Sequence, residues 1–225
     1  DSQTQILEGR AVGVAVTNSG TIAGESNDGV RLIGGGSVTN SGTIMGAGRA
    51  DADGVSVYAY DDQNLSDVTA IGTITNAQGG TISGVRYGAI LFDGGLVDNE
   101  GVLTGGAGGL WVQGNDPAGN KTASVTNAGT ISGGSGLTFA NVLASSELVN
   151  SGTITGNAAH GVANGSFGRA SITNEAGATI VGATSGVYDD EGGIDLVNAG
   201  TIRGEGAYDG FDAPPDAGVT ILGAP

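Results

Sequence analysis

The side chains of this 225-residue chain best suited to chemistry are its carboxylates and a single histidine. Asp51 and Asp53 are followed by Asp61, Asp62 and Asp67. Asp189, Asp190 and Glu191 form a second group, and Asp209, Asp212 and Asp216 a third. Paired carboxylates can act as acid and base, or as acid and nucleophile, in cutting a polysaccharide. The same hard oxygens are what calcium takes as ligands. For catalysis the pair to consider is Asp61 with Asp93. For calcium the candidates are Asp61, Asp62, Asp189 and Asp190. The three groups are far apart along the chain, and no Gly-Gly-x-Gly-x-Asp calcium repeat occurs. A solvated acidic face is the simpler account. His160 would have to serve any Ser-His-Asp triad. No Gly-x-Ser-x-Gly elbow accompanies it, so an exposed turn histidine is expected. No catalytic residue and no cofactor is assigned, and the chain is read as a non-enzyme.

A nine-residue unit positions these residues. "VTNSGTIAG" begins at Val16 and "VTNSGTIMG" at Val38; "VTNAGTISG", "LVNSGTITG" and "LVNAGTIRG" follow from Val125, Leu148 and Leu196. The asparagines marking the unit are Asn18, Asn40, Asn76, Asn99, Asn127, Asn150, Asn174 and Asn198, spaced 22, 36, 23, 28, 23, 24 and 24 residues apart. Each unit holds apolar-x-Asn, a glycine turn, Thr-Ile and a later Gly-apolar step such as Gly29-Val30 or Gly136-Leu137. Three short strands separated by glycine turns describe one coil of a parallel β-solenoid. A unit this short cannot bury its own apolar side chains, but stacked coils can share one interior.

The expected fold is therefore all-β: a right-handed single-stranded parallel β-helix of about 8–9 coils, with three short strands per 22–24-residue coil. The handedness follows the general rule for parallel crossovers. One domain covers 1–225, with insertions at about 47–70 and 113–124. Val16, Ile22 and Val30 should point inward, and Thr17 and Thr21 outward. The closing "GVTILGAP" should open a further coil. The asparagine at a fixed point of every coil is read as structural. Its amide bonds the turn and stacks on the next amide, as in cross-β ladders.

Composition narrows the function classes. Gly 46 is far above ordinary usage, Pro is only 4, and charged residues are 13%. Disordered chains carry fewer apolar residues and more charge. The net charge of −16 disfavours nucleic acid and anionic lipid. With no cysteine there is neither disulfide nor thiolate metal site. No apolar run is long enough to cross a membrane as a helix. Alternation on the third strand puts Tyr58, Phe92, Trp111 and Tyr188 on the outside, as ligand or partner contacts or as packing for the inserted loops.

At "VTNSGTI…G…GV" the chain resembles the repeat regions of autotransporter passenger domains, the type V secreted proteins of Gram-negative bacteria. The resemblance runs from about Ile6 to Asn198. It implies an extracellular or cell-surface module that follows export through a C-terminal outer-membrane barrel. It also implies roles in adhesion, self-association, biofilm formation or virulence. The partners implied are a host or bacterial surface glycan, a protein, or a second copy. The reading from the residues favours such an adhesin-like or display module. Its competitor is a polysaccharide-active β-helix hydrolase or lyase using paired aspartates.

Overall fold

The computed structural model describes residues 13–58, 71–114, 122–142, 145–166, 168–190, 192–206 and 218–221. One coil consists of Val14–Asn18, Thr21–Gly24 and Val30–Ile33. Among the described residues, each of these strands lies at one end of its own parallel sheet, and each sheet has eight strands. The first sheet runs from Val14–Asn18 to Ile194–Asn198. The second runs from Thr21–Gly24 to Thr201–Gly204, and the third from Val30–Ile33 to Val219–Ile221. The described residues thus form a parallel β-solenoid with three strands per coil.

Seven register steps carry Asn18 to Asn198, about seven turns linking eight stacked coils, the lower end of the 8–9 expected. The C-terminal expectation changes. Val219–Ile221 does not open a new coil; it closes the third sheet by pairing with Val187–Asp189. Gly218-Val219 supplies the same Gly-apolar entry as the earlier coils, and Val187 N donates to Gly218 O at 2.9 Å. Gly210-Phe211, the step expected there, lies outside the described residues, as do 59–70 of the first insertion and 115–121 of the second.

The core follows from the alternation of inward and outward side chains. Ile44, Ile74, Ile82, Leu103, Ile131, Leu148, Ile154 and Ile180 are fully buried, each in register with its like in the next coil. Val16 and Val30 are buried, Ile22 at the first coil is partly buried, and Thr17 and Thr21 are exposed. Burial of one such aliphatic side chain contributes about 1.5–3 kcal/mol. The coil closes only where glycine allows it. At Gly136 an added Cβ would stand 2.4 Å from Gly161 O and 2.5 Å from Ile154 Cγ2. Gly54, Gly88, Gly109 and Gly161, which also open third-sheet strands, are equally crowded.

Candidate functional site

The repeated polar residue is consumed inside the rod. Asn18 Nδ2 donates to Asn40 Oδ1 at 2.8 Å, Asn40 to Asn76 at 2.9 Å, and Asn76 to Asn99 at 2.9 Å. The line continues from Asn99 to Asn127 at 2.7 Å, then through Asn150 and Asn174 to Asn198 at 2.8 Å each. Each Nδ2 from Asn18 to Asn174 also donates to a threonine or valine carbonyl of the next coil, as Asn99 does to Thr130 O at 3.2 Å. Asn40, Asn76, Asn99, Asn127, Asn150 and Asn174 have no exposed surface. These amides are out of reach of any ligand that stays outside the rod.

The non-repeated residues gather on the outer face of the third sheet. Two outward columns run side by side there. One holds Arg31, Ser56, Ile90, Trp111, Thr138, Ala163, Tyr188 and Thr220; the other holds Ile33, Tyr58, Phe92, Gln113, Ala140 and Gly165. Tyr58 and Phe92 stack at 4.4 Å with 10° between their planes. Arg31, from the coil before, sits 5.7 Å from the Tyr58 centroid. Tyr58 therefore uses one ring face on Phe92 and the other on a guanidinium. Trp111 leans on Tyr87 at 5.2 Å, and Arg86 lies 5.2 Å from the Tyr87 centroid. Burial raises the Tyr87 phenol above its ordinary pKa. Ser56 and Ile90 point outward yet are buried, so protein already covers part of this face. Trp111 Nε1 is likewise buried and meets no acceptor.

Tyr188 does not join the other three aromatics. Thr138 and Ala163 separate it from Trp111 along its column. It stacks instead on His160, at 4.3 Å and 11°. His160 is accordingly half-buried, not the exposed turn residue expected, and its Nδ1 lies 2.9 Å from Thr184 Oγ1. The ring found a flat neighbour one coil on, a pairing that spacing along the chain does not show.

The acidic groups separate into two kinds. Asp51 and Asp190 are exposed, as a solvated face requires. Asp53 and Asp189 are buried, which corrects the reading of these clusters as surface acids. Asp189 is the last residue of Val187–Asp189, where alternation turns its side chain inward. It accepts from Asn164 Nδ2 at 2.6 Å and from Gly193 N at 3.0 Å. Asp93 is buried at a corner with φ 72°. Its suggested partner Asp61 lies outside the described residues, as do Asp62, Asp67, Glu191, Asp209, Asp212 and Asp216. Among the described residues no group of three or more acid, histidine or cysteine side chains is arranged to hold a metal. Of the Asn-x-Ser/Thr sequences, Asn64 and Asn120 lie outside the described residues, and Asn164 is fully buried, closed to a glycosylating enzyme in the folded chain.

Sequence reasoning missed a paired corner, Asp28 with Arg31 and Asp53 with Arg86. Arg31 Nε donates to Asp28 Oδ2 at 2.8 Å, and Asp28 Oδ1 accepts from Asp53 N at 2.9 Å. Asp53, with no exposed surface, accepts from Arg86 Nε at 3.1 Å, Arg86 Nη2 at 2.7 Å, Ser56 Oγ at 3.0 Å and Tyr87 N at 3.2 Å. These bonds raise the Arg86 pKa further above its ordinary value. The signal in the sequence was the repeated Asp-Gly-Val at 28–30 and 53–55. Each of the five arginines among the described residues is paired with a carboxylate: Arg31, Arg49, Arg86, Arg169 and Arg203. Replacing Arg86 with alanine strands the Asp53 carboxylate. Removing one partner of a fully buried pair costs about 3–5 kcal/mol. With the Arg86 side chain 35% exposed, the expected loss is about 2–3 kcal/mol in urea unfolding, whereas Arg49→Ala on the exposed Asp51 should leave stability nearly unchanged.

Comparison with protein-family models, with curated proteins and with solved structures returned no match. Function must therefore be argued from the residues themselves.

Proposed function

We propose that this chain is a non-enzymatic β-helical passenger module of a secreted or cell-surface protein. It acts in adhesion, self-association or display, and meets its partner on the outer face of the third sheet. The supporting observation is the division of labour between repeated and varied residues. The residue repeated in every coil, asparagine, spends its amide on its neighbours in the stack. The varied residues, Arg31, Tyr58, Arg86, Tyr87, Phe92 and Trp111, cluster on one face over four consecutive coils. The resemblance of "VTNSGTI" coils to autotransporter passengers supports the extracellular setting. With its two guanidinium groups already paired to Asp28 and Asp53, the face favours a neutral glycan or an uncharged protein surface over an anion.

A glycan array read alongside a reducing-sugar release assay tests this. The expected result is binding without release, weakened at least tenfold by Trp111→Ala while the melting temperature moves little. Release of reducing sugar that disappears in Asp61→Asn would show a glycan-cleaving enzyme instead.

A further inference from the structure

The interior of the rod is apolar along most of its length but changes character near its later coils. The inward column of the third sheet runs Leu32, Val57, Leu91, Val112, Phe139, Asn164 and Asp189. Asn164 is fully buried, and its Nδ2 is committed to Asp189 Oδ1 at 2.6 Å. Asn164 Oδ1 must then point away from Asp189. That oxygen is buried and meets no donor.

A second orphan faces the same corner. Ser146 Oγ is buried and unpartnered. Ser146 begins a first-sheet strand in the column Gly72, Gly95, Ala123, Ser146 and Ala170. This column packs across the corner against the inward column of the third sheet. A Cβ at Gly72 would stand 2.9 Å from Val57 Cγ1, in the coil before, and 3.3 Å from Leu91 Cδ2, in its own coil. Three coils further on, the same register sets Ser146 between Phe139 and Asn164. Both orphaned atoms therefore border one interior corner.

There is a physical reason for space at that corner. Asparagine follows phenylalanine in the inward column, so the side-chain volume drops from one coil to the next. The facing column offers only Ala123, Ser146 and Ala170. A polar recess inside a folded protein is where buried water binds, bonded to groups that otherwise lack partners.

We propose that one water molecule is bound inside the rod at this corner, donating to Asn164 Oδ1 and accepting from the Ser146 hydroxyl. The site is independent of the passenger reading, because it depends only on the stacking of the coils. It completes a polar layer of Ser146, Asn164 and Asp189 beneath Phe139. That layer marks a register for these coils, because a slip by one coil would set Asn164 in the apolar level of Phe139.

Two measurements on the full chain test the site. A crystal structure at about 1.5 Å should show one ordered water within hydrogen-bonding distance of Asn164 Oδ1 and Ser146 Oγ. In solution, the side-chain amide of Asn164 should show a cross-relaxation peak to a long-lived water. Ser146→Ala, which copies Ala123 and Ala170 of the same column and so keeps the fold, should abolish that peak. Two results would overturn the proposal: a direct Ser146 to Asn164 hydrogen bond with no water between them, or a water peak unchanged in Ser146→Ala.

Discussion

Asn99→Asp should destabilise the rod by about 3–5 kcal/mol, the cost of leaving an uncompensated charge or an unpaired polar group inside a protein. Asn99 has no exposed surface and sits mid-ladder. Its Nδ2 donates to Asn127 Oδ1 at 2.7 Å, to Thr130 O at 3.2 Å and to Gly101 O at 3.3 Å. Aspartate keeps the shape but replaces that donor with an acceptor. Three oxygens would then face a carboxylate oxygen without a proton among them, unless the acid takes one up. Denaturant unfolding followed by circular dichroism measures the loss. A whole domain is commonly stable by only about 5–15 kcal/mol, so one substitution removes much of the margin. Asn198→Asp is the internal control. Asn198 is exposed at the last described rung, and the change there should cost no more than about 1 kcal/mol.

Gly136→Ala should cost about 3 kcal/mol or more, although it adds a single methyl group. The new Cβ would meet Gly161 O at 2.4 Å and Ile154 Cγ2 at 2.5 Å. The first of these is backbone of the next coil and cannot turn aside like a side chain. Overpacking of a core commonly costs about 1–3 kcal/mol, and a clash with fixed backbone belongs at the upper end. Gly177→Ala separates this cause from ordinary glycine effects. Gly177 has φ 86° but nothing within 4 Å of its Cβ position, so its loss should reflect backbone strain alone, about 1 kcal/mol. Thermal melts of the two variants check the order. Equal melting temperatures would mean the coils are not packed as closely as Gly136 requires.

The stack was legible because its determinants are local and periodic. Apolar-x-Asn, Thr-Ile and Gly-apolar recur at near-constant spacing, and each is a one-coil pattern. Alternation alone sorted Val16 from Thr17 and Leu110 from Trp111. The third-sheet face was legible only in part, because contacts there run between coils. Tyr58 and Phe92 lie 34 residues apart in the chain and 4.4 Å apart as rings. Trp111 pairs with Tyr87, the first residue of the strand Tyr87–Phe92, which alternation counted onward from the Gly-apolar step at Gly88 does not reach. The acids show the limit most clearly. Asp51 and Asp53 differ by two positions, but one pairs with Arg49 in solvent while the other is buried under Arg86. Nothing in the composition of that segment separates them; the Asp-Gly-Val step shared with Asp28 does. Closure of the third sheet by Val219–Ile221 was misread for a related reason, since a Gly-apolar step can begin a strand in more than one sheet.

The central claim is that the repeated asparagines act between coils and not toward a ligand. Hydrogen exchange of the side-chain amides, read residue by residue by NMR on the full chain, tests it most directly. The account predicts strong protection of the Asn40, Asn76, Asn99, Asn127 and Asn150 side-chain amides, comparable to the backbone amides of the first sheet, with the exposed Asn198 exchanging fast. Exchange of all these side chains at the rate of free asparagine would contradict it.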